Sequence, residues 1–346
     1  MRKLHTVACL LAVSVLTLTG IADSLAQNPD PTAAAKFGWG FRNFKDTEYS
    51  WDLFSHTFFG VPLDPDGIWL TSTFDKLFYE NAYRFALPQS NGNCFGLSLL
   101  SILMNKFGGY YGYCAPPIAW KGDVGGYPNT GNGPTDTALH RIINIMHGRQ
   151  LALAAVESYI DQGMGGKSQF CNNGVQLIEQ TLAKEGPCIV SITKGLNPKG
   201  GGHALVAYGV TYSGSSAKIW VVDSYRLWAV GTAEDSGWYA GDNNYIDCDL
   251  SNGKWSFAMA QGDVWPVGGS GHLIAIPASL VGPPGRVPSS LGLSLGELLS
   301  KLMLFDGAGQ SGEEGFLMHK TLPPEVGGTA GSRGPFPPTS PNQGDR

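Results

Sequence analysis

The chain predicts an α+β protein in two facing halves, helical first and antiparallel β second. Three observations predict it. Helix-patterned stretches run from residue 97 to Lys184, where Gly186-Pro187 stops them, and short β-rich runs follow. Two of those runs, 204–212 and 217–223, are split by Ser213-Gly214-Ser215-Ser216, which reads as a hairpin. Finally, Cys94 stands between the turn Asn91-Gly92-Asn93 and an apolar, helix-compatible run from Leu97 to Phe107, which adds a helix to the first half. Helices followed by antiparallel strands is the order of an α+β domain whose halves pack on each other.

The first 26 residues read as an export signal. Arg2 and Lys3 precede an apolar run from Thr6 to Ile21, and Ser24-Leu25-Ala26 offers small residues for cleavage near Ala26. That run is short of the ~20 residues that span a bilayer, and no second one follows, so no membrane span is expected in the mature chain. The expected address is secreted, periplasmic or extracellular. Residues 27–36 read as a flexible lead-in.

Composition excludes some classes. Charged residues are 15% of the chain, against a usual ~25%, and glycine, at 48 of 346 residues, is about twice as common as usual. This is a loop-rich, weakly charged chain. Net charge is −5 with no block of Lys or Arg, so a nucleic-acid partner, which needs a basic stripe, is not expected.

From Phe37 to Phe85 aromatics are dense (Trp39, Phe41, Phe44, Trp51, Phe54, Phe58, Phe78 among them). Such a segment buries large areas and is expected to pack on the body. A propeptide covering a cleft is the alternative, but no processing site stands between it and Gln89. Asp64-Pro65-Asp66-Gly67 reads as a turn and is too short for a calcium loop.

A Gly/Pro/Tyr-rich connection, 108–134, leads to a helix over 135–146 that carries His140, with His147 just beyond; both read as ordinary helix residues. A further helix is expected over 173–184. Strands are expected over 188–193, 204–212, 217–223, 245–250, 254–259 and 272–276. From about Val281 Pro and Gly recur, and 282–346 reads as a low-complexity tail with a short amphipathic helix over 294–305.

Cys9 lies in the leader, so five cysteines remain: 94, 114, 171, 188 and 248. An odd number in an exported chain leaves one thiol free and up to two disulfides. If Cys94 is the free one, the others allow three connectivities. No Cys/His spacing suits a zinc site, and the oxygen-rich stretch Asp242, Asn243, Asn244, Asp247, Asp249 reads as a solvated turn. Neither metal nor cofactor is expected.

Three chemistry-bearing residues occur in the order Cys94, His203, Asp223. A thiol at a helix start is where the dipole and first-turn N–H groups favour the thiolate. His203 stands where a Gly-rich loop enters an apolar strand, and Asp223 closes the other arm of the hairpin. With the turn centred between Gly214 and Ser215, Asp223 falls opposite about residue 206, an odd offset from His203. A one-residue bulge or a shifted turn is needed to bring the two to one face. Cysteine as nucleophile, histidine as proton carrier and aspartate as its orienting group form a set for acyl transfer. The expected resting state is a thiolate–imidazolium pair. His272, at the start of a later strand, ranks second to His203.

These motifs resemble the papain-like cysteine peptidases. Cys94-Phe95-Gly96-Leu97-Ser98 is similar to that family's Cys-Trp-Ala-Phe-Ser, and His203-Ala204-Leu205-Val206-Ala207-Tyr208-Gly209 to its His-Ala-Val-x-Ala-x-Gly. Asp223-Ser224-Tyr225 resembles its Asn-Ser-Trp, with Asp for Asn as in the bacteriocin-processing relatives. The resemblance covers about residues 85–230. It implies a papain-like fold, an N-terminal helical half whose central helix starts at the cysteine and a C-terminal β-sheet or barrel half. It also implies hydrolysis of a peptide or protein substrate through a thioester, with Tyr225 shielding the Asp–His hydrogen bond. An amidase, deamidase or transglutaminase using the same triad, or an idle papain-shaped binding module, are the alternatives. The family places an oxyanion-hole Gln six residues before its Cys; here Gln89 stands five before, with Asn93 and Asn91 as alternative donors. The family's Gly-x-x-Trp-Gly is missing, although Trp228 is nearby.

Overall fold

The structure, a computed structural model, describes residues 32–65, 73–90, 92–123, 133–164, 171–195, 201–226, 244–259, 263–266 and 271–288. The leader, most of the lead-in, Asn91, Asp242, Asn243 and the helix expected over 294–305 lie outside the described residues.

The helical half is built around one buried helix. In chain order come α1 (Ala33–Phe37), α2 (Trp51–Thr57), α3 (Thr73–Phe78), a π-helical turn (Tyr79–Tyr83) and α4 (Arg84–Gln89). Then follow α5 (Cys94–Phe107), α6 (Thr137–Gly148) and α7 (Leu153–Tyr159). Helix α5 is buried on every side from Cys94 to Met104, with Leu97, Leu99 and Leu100 all at 0% exposure. Full burial of each such side chain is worth roughly 1.5–3 kcal/mol, so this helix is core rather than an amphipathic face. It ends at Gly108, whose φ of 71° is the left-handed cap. Its crossing with α6 is close. A Cβ on Gly96 would lie 2.3 Å from the Ile143 carbonyl oxygen and 2.8 Å from the His147 amide.

Helix α6 starts at Thr137 rather than the expected residue 135, because Asp136 caps it, accepting from the amides of Ala138 at 2.8 Å and Leu139 at 3.1 Å. Gly148, the last residue of α6, keeps helical φ of −60°, and a Cβ there would lie 2.7 Å from the Tyr83 ring. That glycine serves a close approach, not a turn.

The β half is a curled antiparallel sheet of seven strands, ordered β10-β9-β8-β7-β6-β5-β11. Short pairs β1 (Gly109–Tyr110) with β2 (Tyr113–Cys114), and β3 (Gly122–Asp123) with β4 (Gly133–Pro134), precede it. Its strands are β5 (Cys188–Thr193), β6 (Gly202–Ser213), β7 (Ser216–Val222), β8 (Tyr245–Asp249), β9 (Lys254–Ala258), β10 (Val264–Trp265) and β11 (Leu273–Ile276). Helix α8 (Cys171–Glu185) precedes β5, and α9 (Ala278–Val281) follows β11. Ile189, Ala204, Val206, Val222, Ile274 and Ile276 belong to the core around α5. Their neighbours Val190, Leu205, Ala207, Val221, Leu273 and Ala275 belong to the core beneath α8. Both faces are covered, so β5 is buried at all its positions, the polar Ser191 and Thr193 included. The edge strand β11 is closed by Gln162, whose carboxamide donates to the Ala275 carbonyl at 2.8 Å and accepts its amide at 3.0 Å.

The aromatic segment is woven into two cores. Trp39, Phe41 and Phe44 lie with Phe95 and Leu97 around α5, while Tyr49, Phe54, Phe58, Phe78 and Tyr83 form a third core against Ile145 of α6. Past Val281 the chain stays on the body through residue 288, beyond the expected start of the tail. Gly285 accepts from the Phe59 amide at 2.7 Å, Arg286 from that of Leu153 at 2.9 Å, and Val287 is buried in the third core.

Candidate active site

Cys94 is the first residue of α5, as the turn-to-helix pattern anticipates. The turn before it is held from the N-terminal segment: the Asn93 amide donates to Asn43 Oδ1 at 2.8 Å and to the Phe44 carbonyl at 2.9 Å. Gly92 is required there, since its φ is 154° and a Cβ would lie 2.6 Å from Asn43 Nδ2.

Asn93, expected as an oxyanion donor, is committed elsewhere. Its Oδ1 accepts from Tyr49 Oη at 2.6 Å, and its Nδ2 donates to Asn144 Oδ1 at 2.8 Å and Asp46 Oδ2 at 3.1 Å. Both Nδ2 hydrogens are thereby taken, which leaves the carboxamide no donor for an oxyanion, and it does not cap α5. Gln89 ends α4; its side chain and Asn91 lie outside the described residues.

His203 enters from the start of β6, where Ile192 opposes it. Its Nε2 lies 2.7 Å from Asp223 Oδ1 with both side chains buried. A carboxylate can only accept, so Nε2 carries the proton. The other ring nitrogen, Nδ1, has no partner at hydrogen-bond geometry among the described residues, and the Cys94 thiol is the neighbour acting on that side of the ring. The Ala204 amide, next along the strand, donates to Cys94 Sγ at 3.4 Å. Tyr225 stacks on the imidazole, ring centroids 4.5 Å apart and 24° from parallel.

The ladder explains how Asp223 arrives. Gly209 opposes Trp220, but beyond a slip at Tyr208 Val206 opposes Val222. Continuing that register by one residue sets Asp223 beside Leu205, an even offset from His203 and the same face. Its Oδ1 also accepts the Tyr225 amide at 2.9 Å, and its Oδ2 lies 3.7 Å from Arg226 Nε. Arg226 is buried; its guanidinium donates to Asn244 Oδ1 and the Ala258 carbonyl and lies 5.4 Å above the Phe257 ring. Nothing in the sequence reading singled out Arg226. The available signal was a basic residue three positions after Asp223 at a strand end.

Burial alone would strip the proton from His203, but the charge and hydrogen bond of Asp223, aided by Cys94, raise it to about 10. Burial would raise Asp223, but His203, Arg226 and the Tyr225 amide hold it below its ordinary value. The site therefore favours an imidazolium–carboxylate pair with a sulfur at the far edge of the ring.

The other histidines serve elsewhere. His140 Nε2 meets Asp46 at 2.8 and 2.9 Å, which ties α6 to the segment that holds Asn93. His147, pushed down to about 3 by burial, contacts Ser90 Oγ at 3.3 Å and Gln150 Nε2 at 3.0 Å. His272 precedes β11, two strands from His203 across β5. Among the described residues no group of three or more His, Cys, Asp or Glu side chains could hold a metal ion.

No family model, no curated protein and no solved structure matches this chain.

Proposed function

We propose that this protein is an exported papain-like cysteine peptidase that hydrolyses peptide bonds through a Cys94 thioester. The observation that carries the reading is the placing of one buried imidazole, bound to Asp223 at 2.7 Å, beside a thiol at the start of the central helix. Cys94 attacks the substrate carbonyl carbon as a thiolate, with the Ala204 amide and the α5 N-terminus favouring its charge. The first-turn N–H groups of α5 have no intrahelical acceptor, and the Cys94 amide is the donor closest in sequence to the developing oxyanion. Gln89 is the second donor in this reading. His203 protonates the departing amine, leaving a thioester and a neutral ring; the ring then takes a proton from water as it attacks the thioester, and Cys94 is released. Tyr225 covers the ring, and Asp223 holds its orientation.

The test is alkylation of the protein by an epoxysuccinyl probe or iodoacetamide at neutral pH, with peptide mapping. Labelling is expected at Cys94 and lost in Cys94→Ala. His203→Ala is expected to lose it at mildly acidic pH and keep it at high pH, where the thiol ionises unaided. Labelling at another residue, or activity surviving Cys94→Ala, would overturn the assignment. Incubation with peptide, glutamine and cell-wall amide donors separates reactions: new amines without ammonia mark peptide hydrolysis, whereas ammonia release marks an amidase or deamidase.

A further inference from the structure

All five cysteines among the described residues are thiols in this structure, so the disulfides expected from the odd count are not formed in it. Their places in the fold leave one pair within bonding reach. Cys171 opens α8, and Cys188 follows its far end, so the rise of about 1.5 Å per residue sets them ~20 Å apart. A disulfide needs Cα atoms within about 4.4–6.8 Å. Cys188 and Cys248 lie on β5 and β8, three strand spacings or ~14 Å apart. Cys114 is exposed, in a hairpin whose Tyr113 packs into the α5 core, on the far side of the sheet from the core that holds the other three.

Cys171 and Cys248 lie together in the core between α8 and the sheet. The Cys171 amide donates to the Gly253 carbonyl at 2.9 Å, Asn172 Nδ2 to the Leu250 carbonyl at 2.9 Å, and Cys171 Sγ to the Asp249 carbonyl, one residue beyond Cys248, at 3.5 Å. These contacts fasten the start of α8 to the β8–β9 turn. Cys248 beside it lowers Cys171, and Cys171 together with burial raises Cys248, marking Cys171 as the thiol that ionises first.

We propose that Cys171 and Cys248 are joined in the mature protein by a disulfide that staples the N-terminus of α8 to β8. The oxidant is a disulfide donor, either a dithiol–disulfide oxidoreductase or a small disulfide such as oxidised glutathione. Cys171 thiolate attacks one donor sulfur, forming a mixed disulfide and expelling the other sulfur as a thiolate. Cys248 thiolate then attacks Cys171 sulfur and expels the second donor thiolate. Two electrons pass to the donor, and the two thiol protons end on its two sulfurs. The closed loop runs from 171 to 248 and encloses both His203 and Asp223, so the staple braces the hairpin that carries them. Cys94, Cys114 and Cys188 remain thiols. The inference does not depend on what Cys94 does.

The experiment uses the full chain with Cys94→Ala, which removes the thiol best placed to reshuffle disulfides. The folded protein is equilibrated with excess oxidised glutathione, denatured in N-ethylmaleimide and mapped by mass spectrometry with and without prior reduction. Expected without reduction are an alkylated, buried Cys188, an exposed Cys114 carrying either glutathione or the alkyl group, and a Cys171–Cys248 linked peptide that reduction abolishes. Reduction is also expected to lower the melting midpoint by several degrees, as for a long closed loop. Full alkylation of Cys171 and Cys248 without reduction, or linkage of either to another cysteine, overturns the proposal. A midpoint unmoved by reduction overturns the stapling role.

Discussion

His203 and Asp223 face each other because the β6–β7 ladder slips by one residue at Tyr208. Between the hairpin turn and Tyr208 the pairing follows Gly209↔Trp220; past it, Val206↔Val222. Without the slip Asp223 would lie beside Val206, whose side chain belongs to the α5 core on the other face. A bulge is commonly a device for re-aiming one side chain, and here it aims a carboxylate.

Deleting Val222 keeps Ala207 opposite Val221 but sets Asp223 opposite Val206, and is therefore expected to turn Asp223 to the wrong face. Labelling of Cys94 at mildly acidic pH should fall to the level of His203→Ala while cooperative melting persists. Labelling equal to the parent in a cooperatively folded deletion would show that the register is not what pairs the two residues.

The pH dependence follows from the buried pair. His203 is raised from 6.5 to about 10, so its contribution to stability is fully present below about 6.5 and is lost as pH rises through about 10. Asp223 is lowered from 3.8, so its contribution is present above that value and is lost as pH falls through its depressed folded value. Asp223→Asn removes the charge that outweighs burial, and the imidazole should then be neutral at pH 7. Labelling of Cys94 at mildly acidic pH should then fall while labelling at high pH, where the thiol ionises unaided, persists, and turnover should fall by up to about 10⁴-fold, the loss typical of an orienting carboxylate. Alkylation rates from about pH 4 to 11, parent against variant, test this.

Arg226 neutralises the far side of Asp223 and fills the space beneath it. Arg226→Met removes the cation beside Asp223 Oδ2 and a donor from Asn244 Oδ1 and the Ala258 carbonyl at once. Removing one member of a buried charge set costs about 3–5 kcal/mol, to be read as a fall in the urea midpoint. A change under about 1 kcal/mol would assign Arg226 no part in holding the aspartate.

Gly96→Ala sets two effects against each other. Alanine is the better helix former by about 1 kcal/mol. Its Cβ would lie 2.3 Å from the Ile143 carbonyl oxygen, a backbone atom inside α6 that cannot move aside alone. Overpacking costs typically 1–3 kcal/mol, and a backbone clash belongs at the upper end, so net destabilisation is expected in urea unfolding.

Much of the fold was legible because its signals are local. The run Cys188 to Thr193 marks β5 at both ends, Ser213 to Ser216 marks the hairpin turn, and Gly186-Pro187 stops α8. Helices α2, α4 and α7 were not anticipated: each is short, and α4 carries Pro88 inside it, so they owe their form to the third core rather than to a repeating pattern. At the candidate site, the order Cys94, His203, Asp223 and the need for a bulge could be read from spacing alone. What spacing did not show is how Asn93 is used. Its position beside the thiol was visible, but not the Tyr49, Asp46 and Asn144 groups, from 44 to 51 residues away, that hold its carboxamide.

By itself, then, the sequence determined the longer helices and the strands, where the hairpin turns, and which three side chains are the candidates for the site. Periodicity and turn residues act within a few positions, and a linear chain displays them in full. Tertiary structure alone decided that Tyr208 takes up the register slip, that Arg226 lies against Asp223, that Gly96 admits α6, and that Cys171 meets Cys248 rather than Cys188. Each of these depends on how two distant segments close to within a few ångströms, and packing sets that distance.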